Sequence, residues 1–196
     1  AKQENIPIVS FNLLLDAGYA ADQYSAPGTS SMVMSMLDEG TEKMDALEIS
    51  DRASEIGAII SSGAGIDTSS VSMNALRENL DDSLKLYSEI ILEPSFPDRE
   101  LERIRNQKLA QIQQEKNQPF GIALRVLPEL LYGKSHAYSL PLTGSGTEES
   151  VMQIDRQSLI NYHTEWFKPN NATMSIVGDV EKDQMKPMLE TQFKNW

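Results

Sequence analysis

The chain has 196 residues, 40% of them hydrophobic and 23% charged, which is enough apolar sequence to bury an ordinary core. A net charge of −12 argues against nucleic-acid binding, because phosphates need clustered Lys and Arg. With no cysteine there is no disulfide, thiol nucleophile or cysteine-ligated zinc, and no apolar run has the length of a transmembrane segment.

The first residues, AKQENIPIVSF, hold neither an initiator methionine nor a signal-type apolar run, and suggest a processed chain or an excised fragment. IPIVSFNLLLDAG then alternates. Val9, Phe11, Leu13 and Leu15 fall on one face, with Ser10, Asn12 and Asp16 on the other, as in a half-buried strand. After the APG turn comes a short helix with Met32, Val33, Met36 and Leu37 as its stripe and Gly40 as its expected stop. Asp45 and Glu48 form a capping pair for a second helix, with Leu47, Ala53 and Ile56 as its apolar positions and Gly57 at its end.

AIISSGAGIDTSSVSMNA reads as two strands joined at the GAG turn. Leu80, Leu84, Tyr87 and Ile91 mark a helix stopped by Pro94, Pro97 opens a long one, and a further apolar helix follows Pro119. SLPLTGSGTEES reads as a loop. Asp155 caps RQSLINYHTEWF, NATMSIVGDV is a strand, and KDQMKPMLETQF is a last helix interrupted by proline. Strands alternating with helix pairs predict an α+β fold in two layers. It has a mainly antiparallel sheet with helices on one side, as a single domain over residues 1–196.

Most local motifs fail on their context. Gly133-Lys134-Ser135 follows a helix, not a strand, and Pro128 stands where a phosphate-binding loop needs its first glycine. No G-x-S-x-G elbow occurs to present a nucleophilic serine. Asn171-Ala172-Thr173 is a glycosylation acceptor only in a eukaryotic secretory setting. His136 and His163 are the only histidines, and neither has neighbouring ligands in sequence, so both read as structural or exposed.

One stretch is odd. In GTSSMVMSMLDEGT, Ser31, Met34 and Ser35 share a helix face that would ordinarily be apolar or charged. Its Gly28 and Gly40-Thr41 flanks, the segment ENLDDSLKLYSEIILEPSFPDRELERIRNQKLAQIQQEKNQP and the segment DRQSLINYHTEWFKPNNATMSIVGDV together resemble the pitrilysin/insulinase family of zinc peptidases, which includes the mitochondrial processing peptidases. The likeness runs through nearly the whole chain. It implies a pitrilysin-like fold in which the family's first strands lie before Ala1 and a similar domain follows.

The family's H-x-x-E-H motif uses positions i, i+3 and i+4 of one helix. Two imidazoles hold zinc, and the carboxylate acts as general base on the bound water. The resemblance places the first histidine at Ser31, the glutamate at Met34 and the second histidine at Ser35. The third ligand, a glutamate of the long later helix, falls at Gln111. All four positions have lost their chemistry: hydroxyls and an amide are poor zinc ligands beside imidazole, and a thioether carries no proton. The resemblance therefore implies a non-catalytic domain with no cofactor of its own, its vacated face filled by small, uncharged groups. Zinc is expected only in a partner half, on the same polypeptide or a separate chain. This domain would form part of a peptide-holding chamber in the periplasm or cell envelope, with peptide substrates as the other partner. The alternative is a purely structural or binding subunit, like the peptidase-derived core proteins of larger complexes.

Overall fold

The computed structural model describes residues 7–196, so Ile6 of the predicted first strand lies outside the described residues. Four antiparallel strands form one sheet in the order β2-β3-β1-β4, with β1 Ile8–Leu15, β2 Ile59–Ala64, β3 Ser69–Leu76 and β4 Ala172–Gly178. Alternation in β1 sends Val9, Phe11, Leu13 and Leu15 to a face exposed by no more than 1%. Its register sets Phe11 between Met73 of β3 and Ile176 of β4, so the buried residues stack across strands.

The opposite face is uncharged and mixed, with exposed Ile8, Leu14, Ile59 and Val177 among polar side chains. Ser61, Ser72, Asn12 and Ser175 make a row across all four strands, and the Ser61 and Ser72 hydroxyls lie 2.8 Å apart. Helices therefore cover one side only, as the alternation predicts.

The covering layer contains α1 Thr29–Met36, α2 Ala46–Ile56, α3 Leu80–Leu92, α4 Asp98–Lys116, α5 Pro119–Tyr132, α6 Glu148–Gln153, α7 Arg156–Trp166 and α8 Lys182–Gln192. The Asp45–Glu48 capping box is formed, and Gly57 closes α2 with φ of 66°. Leu47 is not on the buried stripe of α2: it is 76% exposed, and Ile49 and Ile56 are buried instead. Ile49 lies two positions on from Leu47, a turn of about 200° that puts them on opposite faces. α1 stops at Met36, ahead of Gly40, which pairs with Asp45 in an isolated bridge.

The predicted loop at SLPLTGSGTEES contains the start of α6. Its cap is reciprocal between Thr147 and Ser150, and a serine at the third helical position leaves a weaker sequence signal than glutamate would. His136 caps a short 3-10 turn by accepting from the Tyr138 N–H. His163 packs its ring 4.3 Å from Phe167 and places Nε2 2.7 Å from the Ile91 carbonyl, and burial lowers its pKa.

α5 is the helix least absorbed by the core. Phe120, Leu130 and Leu131 are 75%, 76% and 66% exposed. Its inner side is nonetheless fixed. A side chain at Gly121 would meet the Glu115 carbonyl at 2.5 Å, so only glycine lets α5 lie this close to the end of α4. One turn further, Arg125 donates to Glu115 at 2.6 Å, with both side chains about one-tenth exposed. Replacing Arg125 by Met leaves Glu115 buried without its counter-charge. The expected loss is about 3 kcal/mol in urea unfolding, part of it recovered when Glu115→Gln is added. An unchanged unfolding midpoint for Arg125→Met would show that the pair does not fix α5.

Candidate functional site

α1 begins at a sharply turned residue, Gly28, with φ of 97°. Its first N–H groups are satisfied from outside the helix. The Asp22 carboxylate accepts from the Gly28 N–H at 2.7 Å, the Ser30 N–H at 2.9 Å and the Ser30 hydroxyl at 3.1 Å. Asp22 is 1% exposed. Burial drives its pKa up to about 7 against the opposing pull of the Ser30 and Gly28 hydrogen bonds. A second hold comes from the first turn of α6, where Ser150 donates from its hydroxyl to the Pro27 carbonyl at 2.7 Å.

On this anchored helix the sequence-derived positions separate into two environments. Met34 is buried in the core, and its carbonyl accepts from the Ser62 hydroxyl of β2 at 2.6 Å. Ser31 and Ser35 are half-buried, one turn apart. Gln111 lies on α4 and turns its amide to Glu115 at 2.9 Å. Glu115 also accepts from Arg125, Ser145 and Thr143. Burial pushes its pKa up, but these four donors outweigh that and hold the carboxylate below its usual range.

The expected uncharged face is corrected at one point. Lys108, half-buried on α4 and one turn before Gln111, donates from Nζ to the Ser31 hydroxyl at 2.6 Å. Desolvation lowers its pKa, and the Glu115 charge works the other way. The Lys108 side chain thus joins α1 to α4, the two helices to which the resemblance assigns the ligand positions. The sequence does contain a signal for it, since positions 108 and 111 share a helix face, but the contact spans 77 residues.

These residues do not fit zinc. Two hydroxyls and an amide offer neutral oxygens, and Lys108 offers donors and a positive charge where a cation would need electron pairs. Among the described residues, no three His, Asp or Glu side chains converge in a metal-holding group. The arrangement can hydrogen-bond a carbonyl or hydroxyl brought against it, and Met34 supplies no general base.

A protein-family model described as Insulinase (Peptidase family M16) matches residues 1–143, and one described as Peptidase M16 inactive domain matches residues 153–196. A curated relative, the "non-peptidase homolog YmxG" of Helicobacter pylori, is 21% identical over 91% of this chain and 41% of its own. A crystal structure described as the peptidase M16 inactive domain from Pseudomonas fluorescens superposes with a TM-score of 0.92 at 27% identity. The match covers 98% of this chain and 46% of that one. The periplasmic protease PqqL of Escherichia coli shares the fold, with a TM-score of 0.81 at 16% identity over 98% of this chain and 22% of that one. The chain spans less than half the length of the curated relatives it matches.

Two outcomes check this geometry. Combining Ser31→His, Ser35→His and Gln111→Glu should leave zinc binding near the unmodified level while Lys108 remains, and adding Lys108→Met should bring binding up. Calorimetric titration decides it, and equally tight binding with Lys108 in place would overturn its role as a cation-excluding group. The second concerns pH. Asp22 has a native pKa near 7 against 3.8 in the unfolded chain, so unfolding releases a proton between about pH 4 and 7. The unfolded state then binds fewer protons, and this contribution to stability falls as pH rises through that window and levels off above it. The stability of the protein relative to Asp22→Asn should decline from pH 5 to pH 7.5 in chemical unfolding. A flat difference would mean that Asp22 stays ionised throughout.

Proposed function

As the chain belongs to the insulinase (M16) peptidase family, we propose that it is a non-catalytic domain of a pitrilysin-type assembly, forming one wall of a peptide-holding chamber and supporting a zinc-bearing half. In this reading residues 1–196 form one peptidase-type domain. Ser31, Met34, Ser35 and Gln111 are the vestigial ligand and base positions, and zinc belongs to the partner half alone. The observation that carries the reading is the Lys108–Ser31 contact. It ties together the two helices of the family's metal site with the metal's charge replaced and its ligands gone. Retaining the frame without the chemistry suits a domain kept for its shape.

Support for peptide holding comes from the sheet. β2 is an edge strand, lies beside α1 through the Ser62 to Met34 bond, and leaves Ile59 70% exposed. An extended peptide can add to such an edge by main-chain hydrogen bonds. The location that goes with this reading is the periplasm or cell envelope, where the structurally similar PqqL works. The inactive-domain description of the Pseudomonas fluorescens structure supports the non-catalytic part.

The test is to assay the zinc-bearing half with and without this domain on unfolded peptides of about 20 residues. Cleavage should fall at least tenfold when the domain is left out and return when it is added back. Full activity of the zinc-bearing half alone would end the chamber-wall reading.

A further inference from the structure

One concavity involves none of the vestigial positions. It lies between the 3-10 turn Tyr19–Tyr24 and α7, has a volume of about 900 Å³, and is lined by Tyr24, Asn161, Tyr162, Glu165 and Trp166 together with small residues. Three aromatic rings form its wall: Tyr24 and Trp166 have centroids 6.3 Å apart, and Trp166 and Tyr162 are likewise 6.3 Å apart. Tyr162 is 3% exposed and fixes the inner end, while Tyr24 is 76% exposed and leaves its ring open to solvent.

The charge of the cleft is one-sided. Glu165 is the ionisable carboxylate of its lining, and among the described residues no Lys or Arg lines it. Lys168 pairs with Glu165 from outside the cleft at 3.3 Å, with both side chains about half or more exposed. Such a surface pair contributes little and exchanges readily for another cation. The Asn161 amide oxygen and the Ser158 hydroxyl add acceptors at the rim, although Asn161 already accepts from Gln157.

Aromatic faces carry negative quadrupole density, and a carboxylate beside them completes a receptor for a flat or compact cation. A guanidinium suits it better than an ammonium, since it stacks on rings, is weakly hydrated and pairs with a carboxylate through two N–H groups. We propose that the Tyr24–Tyr162–Trp166 cleft binds an arginine side chain presented on a peptide, with the guanidinium over the aromatic faces and paired to Glu165. The chain's net charge of −12 favours approach of such a ligand. The inference does not depend on the chamber reading, because it rests on different residues and can be measured without any partner.

The experiment uses Trp166 as reporter, in a Trp196→Phe background that removes the other tryptophan. The probes are the amidated peptide Gly-Gly-Arg-Gly-Gly and its citrulline counterpart, which keeps the shape and loses the charge. The arginine peptide should give a saturable fluorescence change, and the citrulline peptide should bind at least tenfold more weakly. Tyr24→Ala and Glu165→Gln should each weaken arginine binding about fivefold, while Tyr24→Phe, which keeps the ring face, should not. Equal binding of the two peptides, or no saturable change in protein shown by circular dichroism to be folded, would overturn the proposal. So would undiminished binding by Tyr24→Ala.

Discussion

The largely buried carboxylate of Glu115 joins three segments of the chain. It receives Arg125 from α5, Ser145 and Thr143 from the loop before α6, and Gln111 from its own helix. Arg125 passes the connection on to the Gly146 carbonyl at 2.7 Å, and a Cβ at Gly146 would collide with the Pro27 carbonyl at 2.2 Å. The start of α1 is therefore set by an ion pair about 90 residues further along the chain. A buried pair of this kind gains little over an apolar replacement, but breaking it strands a charge, so it specifies geometry more than it adds stability.

Asp22 works on the same helix from the other side. It accepts three hydrogen bonds at the helix start and still carries a raised pKa, which means that desolvation outweighs them. α1 is thus held between a carboxylate that is stable as an anion and one that is costly as an anion. Lys108 adds a third ionisable group in contact with the helix, through Ser31. In an ordinary core such groups would be replaced by apolar ones at no loss of stability. Their presence here is understandable if the helix descends from a metal site, where buried charge was required and the surrounding dipoles were already arranged for it. In that reading Lys108 puts a positive group beside Ser31, on a side chain whose ammonium cannot coordinate a metal.

The legible parts of the sequence were those fixed by local physics. The period-two pattern of β1, the Asp45 and Asp155 caps and the breaks at Pro94 and Pro97 act over a few residues, and the structure shows them as read. Leu47 misleads because an apolar residue inside a helix belongs to the stripe only when its angle matches, and Leu47 stands opposite Ile49. The sequence offers Ser31, Met34, Ser35 and Gln111 as a frame only through the family resemblance of their flanks and spacing. The electrostatics of that frame were not legible. Asp22 lies six residues before Gly28 in a segment with no helical period, and Lys108 sits in a charged helix where a lysine ordinarily marks a solvated face. Burial of a charged side chain is a tertiary fact, decided by which helix packs against it.

The exposure of α5 is of the same tertiary kind, and it bears on what the domain is built to meet. An apolar helix that follows a proline reads as a core element, yet only Gly121 and Pro128 of α5 are fully buried. The helix is not loosely attached: Gly121 and Arg125 fasten one side of it to α4, and Tyr132 stacks on His136 at 5.1 Å at its far end. Its exposed side is therefore a rigid apolar surface, for which the chain has already met the entropic cost of ordering. A surface of that kind loses free energy to water unless something covers it. The sheet's open face differs in mixing solvated serines, Thr173 and asparagines with single exposed apolar side chains such as Ile59 and Val177. Along α5 the apolar exposure runs from Phe120 to Tyr132, and under the proposed reading this is a side that a partner half would cover.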